Sequence, residues 1–171
     1  RQSQIPIVLY TYLNPIFQFG FERFHREAHE AGVDGLLLLD LPPEEDQASE
    51  GPVHIRLIAP TTPPERVEEI CARAAGFIYY VSREGVTGAQ SSIASSLGER
   101  VNEIRRHTKL PIAVGFGIST AEQAREVAKI ADAVVVGSAI VQTINENAAS
   151  PDLPARLGAF VAPLVAAVKE R

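Results

Sequence analysis

The sequence predicts a parallel α/β fold, a (β/α)8 TIM barrel of which about six of the eight βα units lie within its 171 residues. Three observations carry this reading. Apolar runs of strand length recur six times, each followed by helix or helix-like sequence over short links. The repeat averages about 28 residues, so eight units would reach about 230, close to the usual barrel size of ~250. The last two strand ends, Gly115-Phe-Gly117 and Gly137-Ser138, are glycine-bearing turns, and barrels commonly build a phosphate site after strands 7 and 8. The order implies that the units not seen precede residue 1, leaving one barrel domain over 1–171 that is N-terminally incomplete.

The elements follow in order. Ile5-Pro-Ile-Val-Leu-Tyr10 reads as a buried strand, and residues 11–16 as a loop. Phe21, Phe24, Ala28 and Ala31 have helical spacing, closed by Gly32. Residues 35–40, Gly-Leu-Leu-Leu-Leu-Asp, form a strand apolar on both faces, with Asp40 at its end and Pro42-Pro43 stopping it. The polar link 44–52 is barely long enough for a crossover, so a helix is shortened or missing there. Residues 53–59 are a strand with partial alternation. Thr62 as N-cap, Pro63 as the first helical residue and Glu65 then start a helix, which carries Val67, Ile70, Cys71 and Ala74 on one face and ends at Gly76.

Residues 77–81 are the next strand. The stretch 82–96 reads as a long polar loop and the best lid candidate. Helical spacing resumes with Leu97, Val101 and Ile104. The strand at 112–115 leads to a capping box at Ser119-Thr-Ala-Glu122. The strand at 133–137 opens a short helix over 139–147. A last helix starts at Ser150-Pro151, and Pro163 is expected to kink it.

Composition narrows the function classes. An apolar share of 46% supports a core, and a net charge of −5 disfavours a nucleic-acid surface. The single cysteine, Cys71, excludes an internal disulfide, fits a reducing, cytoplasmic setting and reads as buried structure. No apolar run approaches the ~20 residues that span a bilayer, and no signal peptide is visible.

Chemistry gathers at the strand ends, where a barrel keeps its active face. Gly115, Gly117, Gly137 and Ser138 offer bare backbone N–H groups beside helix starts, a ready anion site; the plain alternative is a pair of tight turns that need glycine. Asp40 is the one carboxylate squarely at a strand end, as a functional group or as a cap of the following turn. Tyr12 and Tyr79 could wall an aromatic ligand or pack the barrel rim. His25 and His29 have metal-ligand spacing but no third ligand, so both read as solvent-exposed; His54 and His107 carry no motif, and no metal is expected. No Ser-His-Asp pattern, zinc motif or Walker loop occurs.

Five motifs point further: Thr11-Tyr-Leu-Asn-Pro15; Ala31-Gly-Val-Asp-Gly35 with Asp40-Leu-Pro-Pro-Glu-Glu45; Tyr80-Val-Ser-Arg-Glu-Gly-Val-Thr-Gly88; Val114-Gly-Phe-Gly-Ile-Ser119; and Val136-Gly-Ser-Ala-Ile-Val141. With them the chain closely resembles the tryptophan synthase α-subunit family over nearly its whole length. The resemblance implies a (β/α)8 barrel that cleaves indole-3-glycerol phosphate by a retro-aldol reaction into indole and glyceraldehyde 3-phosphate. It also implies a partner β subunit in an α2β2 assembly, with pyridoxal phosphate only in that partner and no cofactor in this chain. Gly88, Phe116, Gly117, Gly137 and Ser138 would hold the substrate phosphate. Tyr12, Leu37 and Tyr79 would line the indole pocket. Thr87 would orient the catalytic acid from the lid loop, and Asp40 would lie near the mouth and the partner interface.

The family's acid–base glutamate and indole-binding aspartate belong to a Pro-x-Ser-Asp-Pro-type motif, which these 171 residues lack. The chain alone is therefore expected to be inactive. The alternatives are a non-catalytic phosphate-binding subunit that activates a partner, and another sugar-phosphate isomerase or epimerase barrel. The Ser-Arg-x-Gly-Val-Thr-Gly string speaks against the last.

Overall fold

The computed structural model describes residues 4–46, 50–82, 90–115 and 117–170, with the backbone alone for 90–95. Six strands form one sheet in the order β1-β2-β3-β4-β5-β6: β1 (Val8–Thr11), β2 (Gly35–Leu38), β3 (Val53–Ile58), β4 (Ile78–Val81), β5 (Ile112–Gly115) and β6 (Ala133–Val135). Every neighbouring pair is parallel, from Val8 opposite Gly35 to Gly115 opposite Val135. The strand order never reverses, as it would in a doubly wound sheet, so the sheet curls one way as a partial barrel.

The helices are α1 (Leu13–Phe19), α2 (Phe21–Glu30), α3 (Pro64–Ala72), α4 (Gln90–His107), α5 (Ala121–Ala128), α6 (Ser138–Glu146) and α7 (Leu153–Lys169). All but α6 contribute side chains to the two clusters packed on one side of the sheet. The larger core joins Ile58, Ile78, Tyr80, Ile112 and Val114 of the sheet to Val67, Val101, Ile104, Val127 and Leu164 of the helices. A smaller cluster packs Leu36 and Leu38 against Ile16, with Phe21 and Phe24 at its border. Cys71 is buried in the larger core, and burial pushes its thiol up to about 11, so it is inert at neutral pH.

Several boundaries differ from the sequence reading. Residues 13–16, expected as loop, begin the helix α1, because its N-terminus is capped from the turn after β2: the Leu13 N–H donates to Asp40 Oδ1 at 2.6 Å. Pattern reading sees only local caps, so this one was invisible. Thr62 does not cap α3; its Oγ1 accepts from the Ala59 N–H, and Pro63 takes the cap position. That helix ends at Ala72, and Gly76 serves a positive-φ turn beyond it. Residues 90–96 are the first turns of α4, so the lid candidate shrinks to a segment at 83–89 outside the described residues. The capping box of α5 is one residue later than read, Thr120 with Gln123. The helix α7 runs uninterrupted through Pro163. As expected, the link after β2 holds only a short 3-10 turn, Pro43–Glu45, among its described residues.

Asp40→Ala should free the Leu13 N–H and cost about 1 kcal/mol, a fall of roughly 2–4 °C in melting temperature by calorimetry.

Candidate functional site

Side chains alternate across a strand, so the residues between those in the helix-packed clusters face the concave side. These are Val8 and Tyr10 on β1, Leu37 on β2, Ile55 and Leu57 on β3, Tyr79 on β4, Ala113 and Gly115 on β5 and Val135 on β6. The Tyr10 and Tyr79 rings meet across this face, edge to face, with centroids 6.3 Å apart. Tyr10 is 57% exposed and forms the open side of an aromatic wall. Burial raises both phenols above their ordinary value, with a smaller push from Tyr12 on Tyr10 and from Tyr10 on Tyr79, so both stay neutral at pH 7.

At the C-terminal end of β5 this face is close-packed at Gly115. A Cβ there would stand 2.6 Å from Val135 Cβ, 2.9 Å from the Val135 carbonyl oxygen and 3.0 Å from the Tyr79 hydroxyl. Glycine is needed because two strands and a tyrosine converge on one point.

Gly115 pairs with Val135, so Gly117 and Gly137 each lie two residues past a matched pair, on adjacent strand ends. Gly117 has φ +68°, a left-handed conformation suited to glycine. Gly137 is the N-cap residue of α6, with φ −114° and no side-chain cap, and both Gly137 and Ser138 are exposed. A side chain at Gly137 would meet nothing within 4 Å. The two helix starts are not equivalent. At α5 the Ser119 and Thr120 N–H groups donate to Gln123 Oε1, and the Gln123 N–H to Thr120 Oγ1. Those three donors are thus engaged within the chain, whereas α6 starts with no side-chain cap.

The family model for the tryptophan synthase alpha chain matches residues 1–164. The chain belongs to the tryptophan synthase alpha-chain family. It is 54% identical to the tryptophan synthase alpha chain of Opitutus terrae over 98% of its own length and 65% of that relative's. It is 49% identical to the alpha chain of Citrifermentans bemidjiense over 96% and 63%. Among solved structures it resembles the Legionella pneumophila alpha chain with a TM-score of 0.82 and 38% identity, over 97% of this chain and 63% of that one. The Pyrococcus furiosus α-subunit carrying E244A superposes with a TM-score of 0.81 at 36% identity, over 97% and 69%. The chain thus spans somewhat less than two thirds of the length of the curated relatives it matches.

On this alpha-chain scaffold the expected site residues are placed as follows. Leu37 and Tyr79 lie on the concave face. Tyr12 is 59% exposed at the corner between β1 and α1, one step beyond the strand, while its neighbour Tyr10 makes the ring contact with Tyr79. Tyr10 was missed because it read only as the last residue of a buried strand. Asp40 is engaged in capping α1. Thr87, Gly88 and Phe116 lie outside the described residues.

Two histidines were misread. His25 is 1% exposed rather than solvated; only His29 of that helix pair is exposed. The His25 Nδ1 faces the Phe21 carbonyl oxygen at 2.8 Å, and its Nε2 lies 2.6 Å from the His54 Nε2. The His54 Nδ1 is 2.7 Å from Asp46 Oδ2, and Arg56 donates to the same oxygen. Burial lowers the His25 pKa, opposed by its bond to the Phe21 carbonyl and by Asp46, and assisted by His54. For Asp46, burial raises the pKa, but the hydrogen bonds and charges of His54 and Arg56 bring it below the usual value. The available signal was on β3, where His54 and Arg56 alternate onto the helix-facing side. Among the described residues, no group of three or more His, Cys, Asp or Glu could hold a metal ion, and no helix is long and apolar enough to cross a membrane.

Proposed function

We propose that this chain forms the phosphate-holding and pocket-lining part of a tryptophan synthase α subunit, whose reaction is the retro-aldol cleavage of indole-3-glycerol phosphate. The observation that carries the proposal is the matched pair of strand ends, Gly117 and Gly137-Ser138, beside an aromatic concave face. Backbone N–H groups at the α6 start and the Gly117 turn would receive the phosphate, with Gly88 and Phe116 completing the cradle. An uncapped helix terminus brings a partial positive charge to that point, so binding needs no lysine or arginine.

The indole ring would lie against Leu37 and Tyr79. Tyr10 closes one side, and Tyr12 stands at the mouth. Neutral phenols suit this role, since they offer ring surface and a hydroxyl donor without placing a charge beside an apolar ligand. Thr87 would orient the catalytic acid. Asp40 would act indirectly, by holding α1 at the mouth where a β subunit docks. No cofactor is needed by this chain; pyridoxal phosphate belongs to the partner. The setting is cytoplasmic.

The proton transfers require the family's glutamate and aspartate, whose motif is not among these 171 residues. The 171-residue chain by itself is therefore expected to bind the substrate without releasing indole. The test uses the absence of tryptophan from the sequence, which makes the indole of the ligand the only indole in solution. Excited at ~295 nm, indole-3-glycerol phosphate should show a saturable, blue-shifted emission on adding the chain. Glycerol 3-phosphate should reverse it by competition, and no free indole should accumulate. An emission unchanged at millimolar chain, or reversal by unrelated sugar phosphates but not by glycerol 3-phosphate, would overturn the reading.

A further inference from the structure

Residues 39–52 join β2 to β3, a type of connection that a helix normally covers. Here the described part of the link holds only the 3-10 turn. The helix-facing side of β3 is polar where such cover would pack: His54 and Arg56 occupy it, and apolar packing resumes at Ile58. His25, from α2, and Asp46, from the link, complete a buried group with them.

We propose that His25, His54, Asp46 and Arg56 form a single-proton latch, in which one hydrogen shared between the two histidine rings ties α2 to β3 and, through Asp46, to the helix-poor link. The His25 Nδ1 faces a carbonyl oxygen and must donate. The His54 Nδ1 faces the Asp46 carboxylate, which His54 and Arg56 together hold below the usual range, and must also donate. The two Nε2 atoms, 2.6 Å apart, need one hydrogen between them. The two rings therefore hold three hydrogens and one positive charge. Removing one leaves two lone pairs facing each other at one contact. Adding a fourth sets two N–H groups head to head. The latch is closed only in between, and a network in low dielectric tolerates neither error cheaply.

The surroundings limit what else can act on it. Phe21 and Phe24 pack their rings against His25. The charged residues of α2 itself, Glu22, Arg23, Arg26, Glu27 and Glu30, and its His29, are exposed. From α3, Arg66 pairs with Glu44 and Arg73 donates to the Pro43 carbonyl, both on the link. His54 and Asp46 are the ionisable groups that act on His25. Burial holds the His25 pKa down, so in acid the unfolded chain takes up its proton first. On the acid side, stability is thus lost as pH falls from the unfolded value of about 6.5 through the lower folded value, while at high pH loss of the shared hydrogen opens the latch from the other side.

Histidine ring-nitrogen NMR on the intact chain tests the latch without substitution. At pH 7 the His25–His54 pair should show three protonated ring nitrogens, and His25 should take its last proton below the ordinary imidazole value of about 6.5. Two ring hydrogens at pH 7, or titration of His25 at or above about 6.5, would overturn the proposal. Melting curves give an independent arm. Between pH 7 and 5 the melting temperature of His25→Phe should fall less steeply than that of the parent; equal slopes would count against the latch. Asp46→Asn should lower the melting temperature at pH 7 by at least ~6 °C, whereas a shift within ~1 °C would contradict it.

Discussion

Gly137→Leu should weaken binding of a phosphate-bearing ligand by about 100-fold while moving the melting temperature by less than ~2 °C. The magnitude follows from losing roughly two hydrogen bonds to a charged group, each worth about 1.5 kcal/mol or more. The fold should be spared because a Cβ at Gly137 meets nothing within 4 Å and its φ of −114° is not the left-handed conformation reserved for glycine. Surface changes of this kind usually stay within about 0.5 kcal/mol. Titration calorimetry with glycerol 3-phosphate, paired with a melting curve, reads both quantities. A variant with parental affinity would remove the start of α6 from the site.

Gly115→Ala should do the opposite, lowering stability by about 1–3 kcal/mol, or roughly 2–10 °C in melting temperature. The added methyl carbon would be placed 2.6 Å from Val135 Cβ and 2.9 Å from the Val135 carbonyl oxygen. Both belong to the paired strand, and neither can swing away as a flexible side-chain end can. Relief requires β5 and β6 to part, which also separates Gly117 from Gly137. Binding should therefore weaken together with stability, unlike at Gly137. Combining the change with Tyr79→Phe should recover little, since that removes only the 3.0 Å contact to the hydroxyl. A variant as stable as the parent would mean that the two strand ends are not in tight contact.

The inner strands β2 and β5 were legible in the sequence because strands covered on both faces are dense in Leu, Ile and Val and are punctuated by Gly, Pro or Asp, whereas β1, expected to be buried, is an edge strand with Val8 and Tyr10 exposed. Gly35-Leu-Leu-Leu-Leu39 is the clearest case. The glycine-bearing ends of β5 and β6 were legible too, since strand, glycine and helix start are consecutive in the chain. What escaped was long-range and polar. The helix α1 depends on Asp40, which lies 27 residues from Leu13. Tyr10 gains its partner from β4, on the far side of three strand pairings. His25 looked peripheral because helical spacing reports which face is apolar, not which polar residue on that face finds a buried mate. His54, 29 residues away, is that mate. The capping box of α5 was legible as well, displaced by one residue from Ser119 to Thr120.

The central claim is that the adjacent ends of β5 and β6 receive a phosphate. Backbone amide NMR during titration with glycerol 3-phosphate tests it most directly. The claim predicts saturable shifts concentrated on the N–H groups of Gly117, Ile118, Gly137 and Ser138, with the capped Ser119 and Thr120 moving far less. Shifts centred elsewhere on the barrel, or none at ligand concentrations that saturate binding, would contradict it.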